Sequence, residues 1–329
     1  MNKRLNWFIF FLLTTYYLLL TTSSFAMSIA PPDENAPIED IRINLITRFG
    51  MPGSAPGQFF SPSDIFVPSI GDRETEIRDL FITDTQNNRV QRFDQQGDYK
   101  YQFGEFGADS GKFNQPLGIV IDFNYQIYVV DSQNSRVQKF DIRGVPLLSF
   151  GSFGKEKGQF MDPSGIALDR WGKIYVADTG NDRIQKFNED GTFVDAFGGF
   201  GYGDGFFNKP KDVAVDKNRN IYVLDSGNSR VQVLDEFGKM FLKFGSFGKA
   251  AGQFIQPSGI ALNDKYIVVS DTGNYRVQVF NKKGQMLRFT NTFYSAAGVA
   301  LDDKNFIYVV DRQKKQISVY QIISMEPQK

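Results

Sequence analysis

Five copies of one pattern, Asp-x-x-Asn-x-Arg, recur along the chain: DTQNNR from Asp84, DSQNSR from Asp131, DTGNDR from Asp178, DSGNSR from Asp225 and DTGNYR from Asp271. A sixth copy, DRQKKQ from Asp311, keeps only the acid, and the spacings are 47, 47, 47, 46 and 40 residues. Self-similarity at such a period restricts the chain to repeat architectures, because each unit is too small to bury its own apolar face without neighbours. Within one period LGIVID, QIYVVD, RVQKFD and VPLLSFG follow one another. They read as four short strands: β-branched and aromatic residues alternate with polar ones or form brief apolar runs, and the breaks fall at turn residues rather than at helix caps.

Six such units predict an all-β, six-bladed β-propeller of four-stranded blades. The last unit has three evident strands, 299–301, 307–310 and 317–322. Ile41–Phe49 ends in Arg-Phe-Gly like the fourth strands elsewhere (Gln102, Ser149, Ala196 and Lys243 each precede Phe-Gly) and has no first three strands of its own. It is predicted to pair with 317–322 and close the ring, removing the open edges that invite aggregation. Residues 27–40 then form a flexible leader, 41–322 the propeller and 323–329 a tail.

The first 26 residues carry Lys3 and Arg4, an apolar run from Trp7 to Leu20, and Ser24-Phe25-Ala26. That is the pattern of a secretory signal cleaved after Ala26, with a retained anchor as the alternative and the only expected membrane contact. The expectation is therefore an exported protein, periplasmic or extracellular, and a monomer. With no Cys in the chain, disulfides and lipid-modified cysteine are excluded and packing alone must hold the fold. Without residues 1–26 the chain has 35 basic and 37 acidic side chains. Such a balance offers no general phosphate-binding footprint, so no nucleic acid is expected.

The repeats resemble NHL repeats over residues 41–322. Four features carry the resemblance in order: the Phe-Gly ending, Gly-x-Phe (Gly57 to Phe59, Gly111 to Phe113, Gly158 to Phe160, Gly205 to Phe207, Gly252 to Phe254), Pro-x-Gly/Asp, and the Asp-x-x-Asn-x-Arg turn. Strand parity puts the last of these and the Gly-x-Phe loops on one face of the disc, here called the top. The pairs Asp84 and Arg89, Asp131 and Arg136, Asp178 and Arg183, Asp225 and Arg230, and Asp271 and Arg276 read as fasteners, each Asp accepting bonds from its turn and each Arg reaching that Asp or a nearby carbonyl. Side chains that vary inside these turns, Gln86, Gln133, Asp182, Ser229 and Tyr275, are better placed to read a partner.

Two departures from the period stand out. The short link before Asp311 replaces Gly-x-Phe by Thr292-Phe293-Tyr294-Ser295, which predicts a top-face notch lined by exposed Phe293 and Tyr294 or, more simply, a degenerate closing blade. An insertion around residues 67–79 of the first blade predicts a solvated excursion on the opposite face.

With neither His nor Cys, the chain can build no imidazole base, thiolate or His/Cys zinc site. The resemblance extends to peptidyl-hydroxyglycine amidating lyases, whose metal-binding His positions have no counterpart here, and to RNA-binding NHL domains of tripartite-motif proteins, which the charge balance disfavours. The leading expectation is a non-catalytic binding propeller with a protein, peptide or glycan partner on the top face and no cofactor. The alternative is a Ca-dependent lactonase- or lyase-like propeller whose repeat acids converge on the central channel with Asn87 or Asn134.

Overall fold

The computed structural model describes residues 39–68 and 78–325. The segment expected as a signal, almost all of the expected leader, most of the blade-one insertion and the end of the tail lie outside them. Six four-stranded antiparallel sheets make six blades, each beginning with an inner strand next to the inner strands of its two neighbours. Those inner strands are Pro62–Phe66, Pro116–Ile121, Pro163–Leu168, Pro210–Val215, Gly259–Leu262 and Ala296–Leu301.

Blade two shows how the sequence writes each blade. Its second strand, Ile127–Asp131, is buried at every residue because neighbouring blades cover both of its faces, which is why IYVVD does not alternate. Its outermost strand, Pro146–Phe150, is exposed or half-buried throughout. Between blades lies a Phe wedge: Phe59, Phe113, Phe160, Phe207 and Phe254, the Gly-x-Phe aromatics, are fully buried. Phe113 sits 5.4 Å from Phe140 and Phe160 5.5 Å from Phe187, and the Phe of the preceding Phe-Gly ending joins each group, Phe103 beside Phe113 and Phe150 beside Phe187. The glycine of that ending is required: at Gly104 φ is +91° and a Cβ would stand 2.4 Å from the Phe113 ring.

The ring closes as the sequence predicts. Ile41–Phe49 pairs antiparallel with Gln316–Ser324, from Ile41 opposite Ser324 to Phe49 opposite Ile317, with a bulge between Leu45 and Thr47. The pairing is longer than 317–322 and completes the sheet begun by Ala296–Leu301 and Phe306–Asp311. Phe49 then plays the same part as the other Phe-Gly aromatics, lying 5.3 Å from Phe93 of blade one.

Phe293 departs from expectation. It is 5 % exposed and meets the Tyr320 ring edge-on at 5.7 Å, so it does not line a notch. Tyr320 stands four residues after Gln316, as Phe140 and Phe187 stand four after Arg136 and Arg183, so Phe293 fills the last wedge with fewer loop residues. Tyr294 beside it is exposed, with the Lys314 ammonium 4.7 Å above its ring.

Ile41 is buried in the closing sheet, whereas Ile46 on the same strand is 52 % exposed. Ile41→Ala is expected to lower stability by about 2–4 kcal/mol in urea unfolding, and Ile46→Ala to change it by no more than about 0.5 kcal/mol.

Candidate functional site: the top face and the axial channel

Each of the five repeat Asp residues from Asp84 to Asp271 ends a second strand as the chain enters a short 3-10 turn, and its carboxylate is buried. Around Asp131 the donors are complete. Oδ1 accepts the Asn114 N–H at 2.7 Å, and Oδ2 accepts Asn134 Nδ2 at 2.8 Å, Arg136 Nε at 2.7 Å and Gln138 Nε2 at 3.1 Å. Arg136 then spends its outer nitrogen on the carbonyls of Asp109 and Lys112 in the loop arriving from blade one. The same arrangement holds at Asp84, Asp178, Asp225 and Asp271, with Arg89, Arg183, Arg230 and Arg276 at 2.7–2.8 Å. Burial still outweighs these bonds at Asp84 and Asp178, whose carboxyls sit above the usual carboxylate range.

A fourth member of this cluster is absent from the sequence-based reading. Gln91, Gln138, Gln185, Gln232 and Gln278 are buried, each giving Nε2 to the repeat Asp and taking the Gly-x-Phe glycine N–H on Oε1, as Gln138 does from Gly111 at 3.0 Å. The signal was present, seven residues after every repeat Asp up to Asp271. The repeat acids therefore do not converge on the channel: each carboxylate is occupied inside its own blade, and Asn87 and Asn134 are spent on Asp84 and Asp131.

Of the variable turn residues, Gln86, Gln133 and Tyr275 are exposed. Asp182 is half-buried and accepts the Lys209 N–H at 2.7 Å, and Ser229 is 6 % exposed, which removes it from the readable surface. These residues are spread around the ring, and Gln133 alone of the set lines the cavity of about 310 Å³ at the axial mouth beside blades two to four.

The channel holds acids of a different kind. Counted from Pro62, Pro116, Pro163, Pro210, Pro257 and Ala296, where the chain enters each blade, the third position holds Asp64, Gly118, Gly165, Asp212, Gly259 and Gly298, so that two carboxylates face the axis from opposite blades, one and four. The glycines allow this: a Cβ at Gly165 would stand 2.1 Å from Asp212 Oδ1, and one at Gly298 2.5 Å from Asp64 Oδ1. Asp64 accepts the Ile119 N–H at 3.1 Å, and Asp212 the Ile260 N–H at 2.8 Å. Protein surrounds both carboxyls, although part of each residue's surface stays open to the channel. Burial pushes Asp64 up to about 7 despite its N–H bonds, and burial together with the Asp64 charge pushes Asp212 well above the ordinary range. The channel acids are thus isolated residues of two inner strands, not the repeat acids that the sequence-based alternative placed there.

Above them, hydroxyls stand one residue after the repeat Asp in blades one to five, and four of them donate to the next blade: Thr85 to Pro116 O at 2.8 Å, Thr179 to Pro210 O at 2.8 Å, Ser226 to Pro257 O at 2.6 Å and Thr272 to Ala296 O at 2.5 Å. Blade six has Arg312 there instead, with its guanidinium 3.1 Å from Ser63 Oγ of blade one.

Known families and structures share this plan. The family described as NHL repeat matches residues 160–187, 207–234 and 254–280, each window running from a wedge Phe to the last or next-to-last residue of a third strand. A family described as a 6-bladed beta-propeller matches residues 74–153. The chain is a six-bladed β-propeller. Blades three, four and five match the NHL repeat. Protein brain tumor of Drosophila melanogaster is 35% identical over 74 residues, 22% of this chain, and the match spans 6% of that protein's length. Among solved structures, virginiamycin B lyase from Staphylococcus aureus, in a catalytically inactive His-to-Ala form with quinupristin, covers 86% of this chain and 100% of its own at 14% identity and a TM-score of 0.59. A protein of unknown function from Bacteroides thetaiotaomicron covers 86% and 77% at 16% identity and a TM-score of 0.62. At such identities the likeness is one of fold.

Asp131→Ala strands Arg136, Asn134 and Gln138 together and is expected to lower stability by about 3–5 kcal/mol, against no more than about 0.5 kcal/mol for Gln133→Ala, both read by urea unfolding.

A second expectation concerns pH. Because folding raises the Asp64 carboxyl to about 7, the folded chain keeps a proton that the unfolded chain has released, from about pH 4 upward. Stability from this group falls as pH rises through that window and levels off above it. Channel water screens the site, so the change is on the order of 2 kcal/mol. Asp64→Asn should lose correspondingly less stability than the parent between pH 5 and pH 8, and equal losses would refute the assignment.

Proposed function

We propose that this propeller is an exported, non-catalytic binding module that takes a polypeptide partner on its top face. The observation behind this reading is a set of four phenylalanines, one in each of four successive inter-blade loops: Phe106, Phe153, Phe200 and Phe247, 63–74 % exposed. Each backbone is fixed by a bridge to the buried wedge Phe of its own loop, so the side chain is held outward rather than folded into the core. A single exposed apolar side chain is ordinary, but the same ring presented at one position of four blades is the composition of a contact surface. The repeated acids and arginines beneath are already paired, which leaves the aromatics and the unrepeated polar side chains to meet a partner.

The absence of the usual catalytic groups supports the same reading. The lyase of similar fold is described as inactive when one histidine is replaced by alanine, and this chain has no histidine. A second reading, a cation-assisted enzyme with its site in the channel, draws on Asp64 and Asp212 alone. Among the described residues no group of three or more acids comes together to hold a metal. Calcium titration with a thermal-shift readout separates the two, since a calcium-dependent shift lost in Asp64→Asn favours the enzyme.

Phe153→Ser with Phe247→Ser is expected to weaken capture of the physiological partner at least tenfold without altering the melting temperature. Phe237→Ser, at an 81 % exposed site in the hairpin joining the last two strands of blade four, should leave capture unchanged. Equal capture by all three proteins would overturn the top-face assignment, and retention on a glycan array in place of a protein would make the partner a glycan.

A further inference from the structure

Two cations break the repeat where it lines the axial mouth. At the second inner-strand position blades one, three and five have Ser63, Ser164 and Ser258, but blade four has Lys211. At the position after the repeat Asp, five blades have Thr or Ser and blade six has Arg312. The Arg312 guanidinium lies against Ser63, the second position of blade one, and so stands across the mouth from Lys211, the exposed second position of blade four. Surrounding protein and then the Arg312 charge depress the Lys211 ammonium, and burial depresses Arg312 as well. Arg312 reaches Ser63 through one nitrogen, and among the described residues no hydrogen bond or ion pair engages the Lys211 ammonium. Lys209, which has no ion pair among the described residues, and Asp162 stand near enough to act on Lys211 in opposite senses.

A like-charged pair placed where the other blades put only neutral side chains opposes folding, and a bound anion would relieve it. Lys211 also lines the 310 Å³ cavity together with Gln133 and Ser132, so a group bound to it has room and polar neighbours. We propose that the axial mouth is an anion site that takes a carboxylate between the Lys211 ammonium and the Arg312 guanidinium, supplied by a small organic acid or by the free end of a polypeptide. Carboxylate suits the donors better than phosphate: one planar guanidinium grips it through two nitrogens, and Asp162 at the rim disfavours a more highly charged group. The site rests on the binding-module reading and gives that face its polar contact.

Calorimetric titration of the full chain with succinate, inorganic phosphate, and a short neutral peptide with a free or amidated C-terminus tests it, beside melting curves in succinate and in chloride of equal ionic strength. The parent should bind succinate or the free-ended peptide saturably and melt higher in its presence. Lys211→Ser should melt in chloride at or above the parent and lose at least tenfold in affinity, and Lys211→Met should behave alike. Tighter binding of the free-ended peptide names a chain terminus as the source, tighter binding of succinate a small acid, and both support the site. No saturable binding of either carboxylate, undiminished binding by both Lys211 variants, or a preference for phosphate overturns it. Partner capture that survives while carboxylate binding is absent sinks the site and leaves the binding module standing. Loss of capture by none of the phenylalanine variants, with carboxylate binding intact, does the reverse.

Discussion

A buried carboxylate that has found all its donors is what the rest of this molecule depends on. Taken out of water alone, the Asp131 side chain would cost several kcal/mol, and the asparagine, arginine, glutamine and backbone N–H around it offset that only in one geometry. The same arginine holds the carbonyls of the loop arriving from the previous blade. Each acid therefore fixes its own turn and the path by which its neighbour enters, and the buried Phe of that loop is delivered between the sheets. Five repetitions give a ring whose register needs no disulfide.

That arrangement divides the side chains by role. Where the repeat is kept, polar groups are consumed by the fold and have nothing left for a ligand. Where blades differ, charged groups keep fewer partners: Asp64 and Asp212 in the channel each accept an N–H from a neighbouring blade, and Arg312 at the mouth reaches Ser63 through one nitrogen. The outward phenylalanines are the exception, since they are repeated and yet unpacked. Their regularity without a packing role is what separates them from incidental exposed residues such as Phe237.

Much of the fold was legible because it is local and periodic. Turn acids, strand runs and the orphan fourth strand at Ile41–Phe49 all announce themselves in the text, and the closing sheet follows from counting strands. The site was less legible for a physical reason. Whether Asp or Gly stands third in an inner strand looks like tolerance in a motif, but at the axis, where six strands crowd together, it decides whether a carboxyl or empty space faces the channel. Phe293 misled because its flanking glycine is gone, although the pocket beside Tyr320 still demanded an aromatic. Ser229 misled because a left-handed turn residue, φ 53°, can lie beneath the surface it helps to shape. The glutamines were visible at a fixed offset and were passed over as strand polar residues.

The sheet that joins the first and last strands of the ring sets an order of events. Ile41 meets Ser324, so the earliest strand of the ring has no partner until the residues up to Ser324 have left the ribosome. Blades one to five each hold four consecutive strands and can form as they emerge, while blade six waits. During that interval a nine-residue strand with unpaired amides travels beside its future neighbours. Exposed Arg42, Asn44 and Arg48 flank the exposed Leu45 and Ile46 on that strand, placing charge and polarity on either side of the apolar stretch that an unintended neighbour would claim.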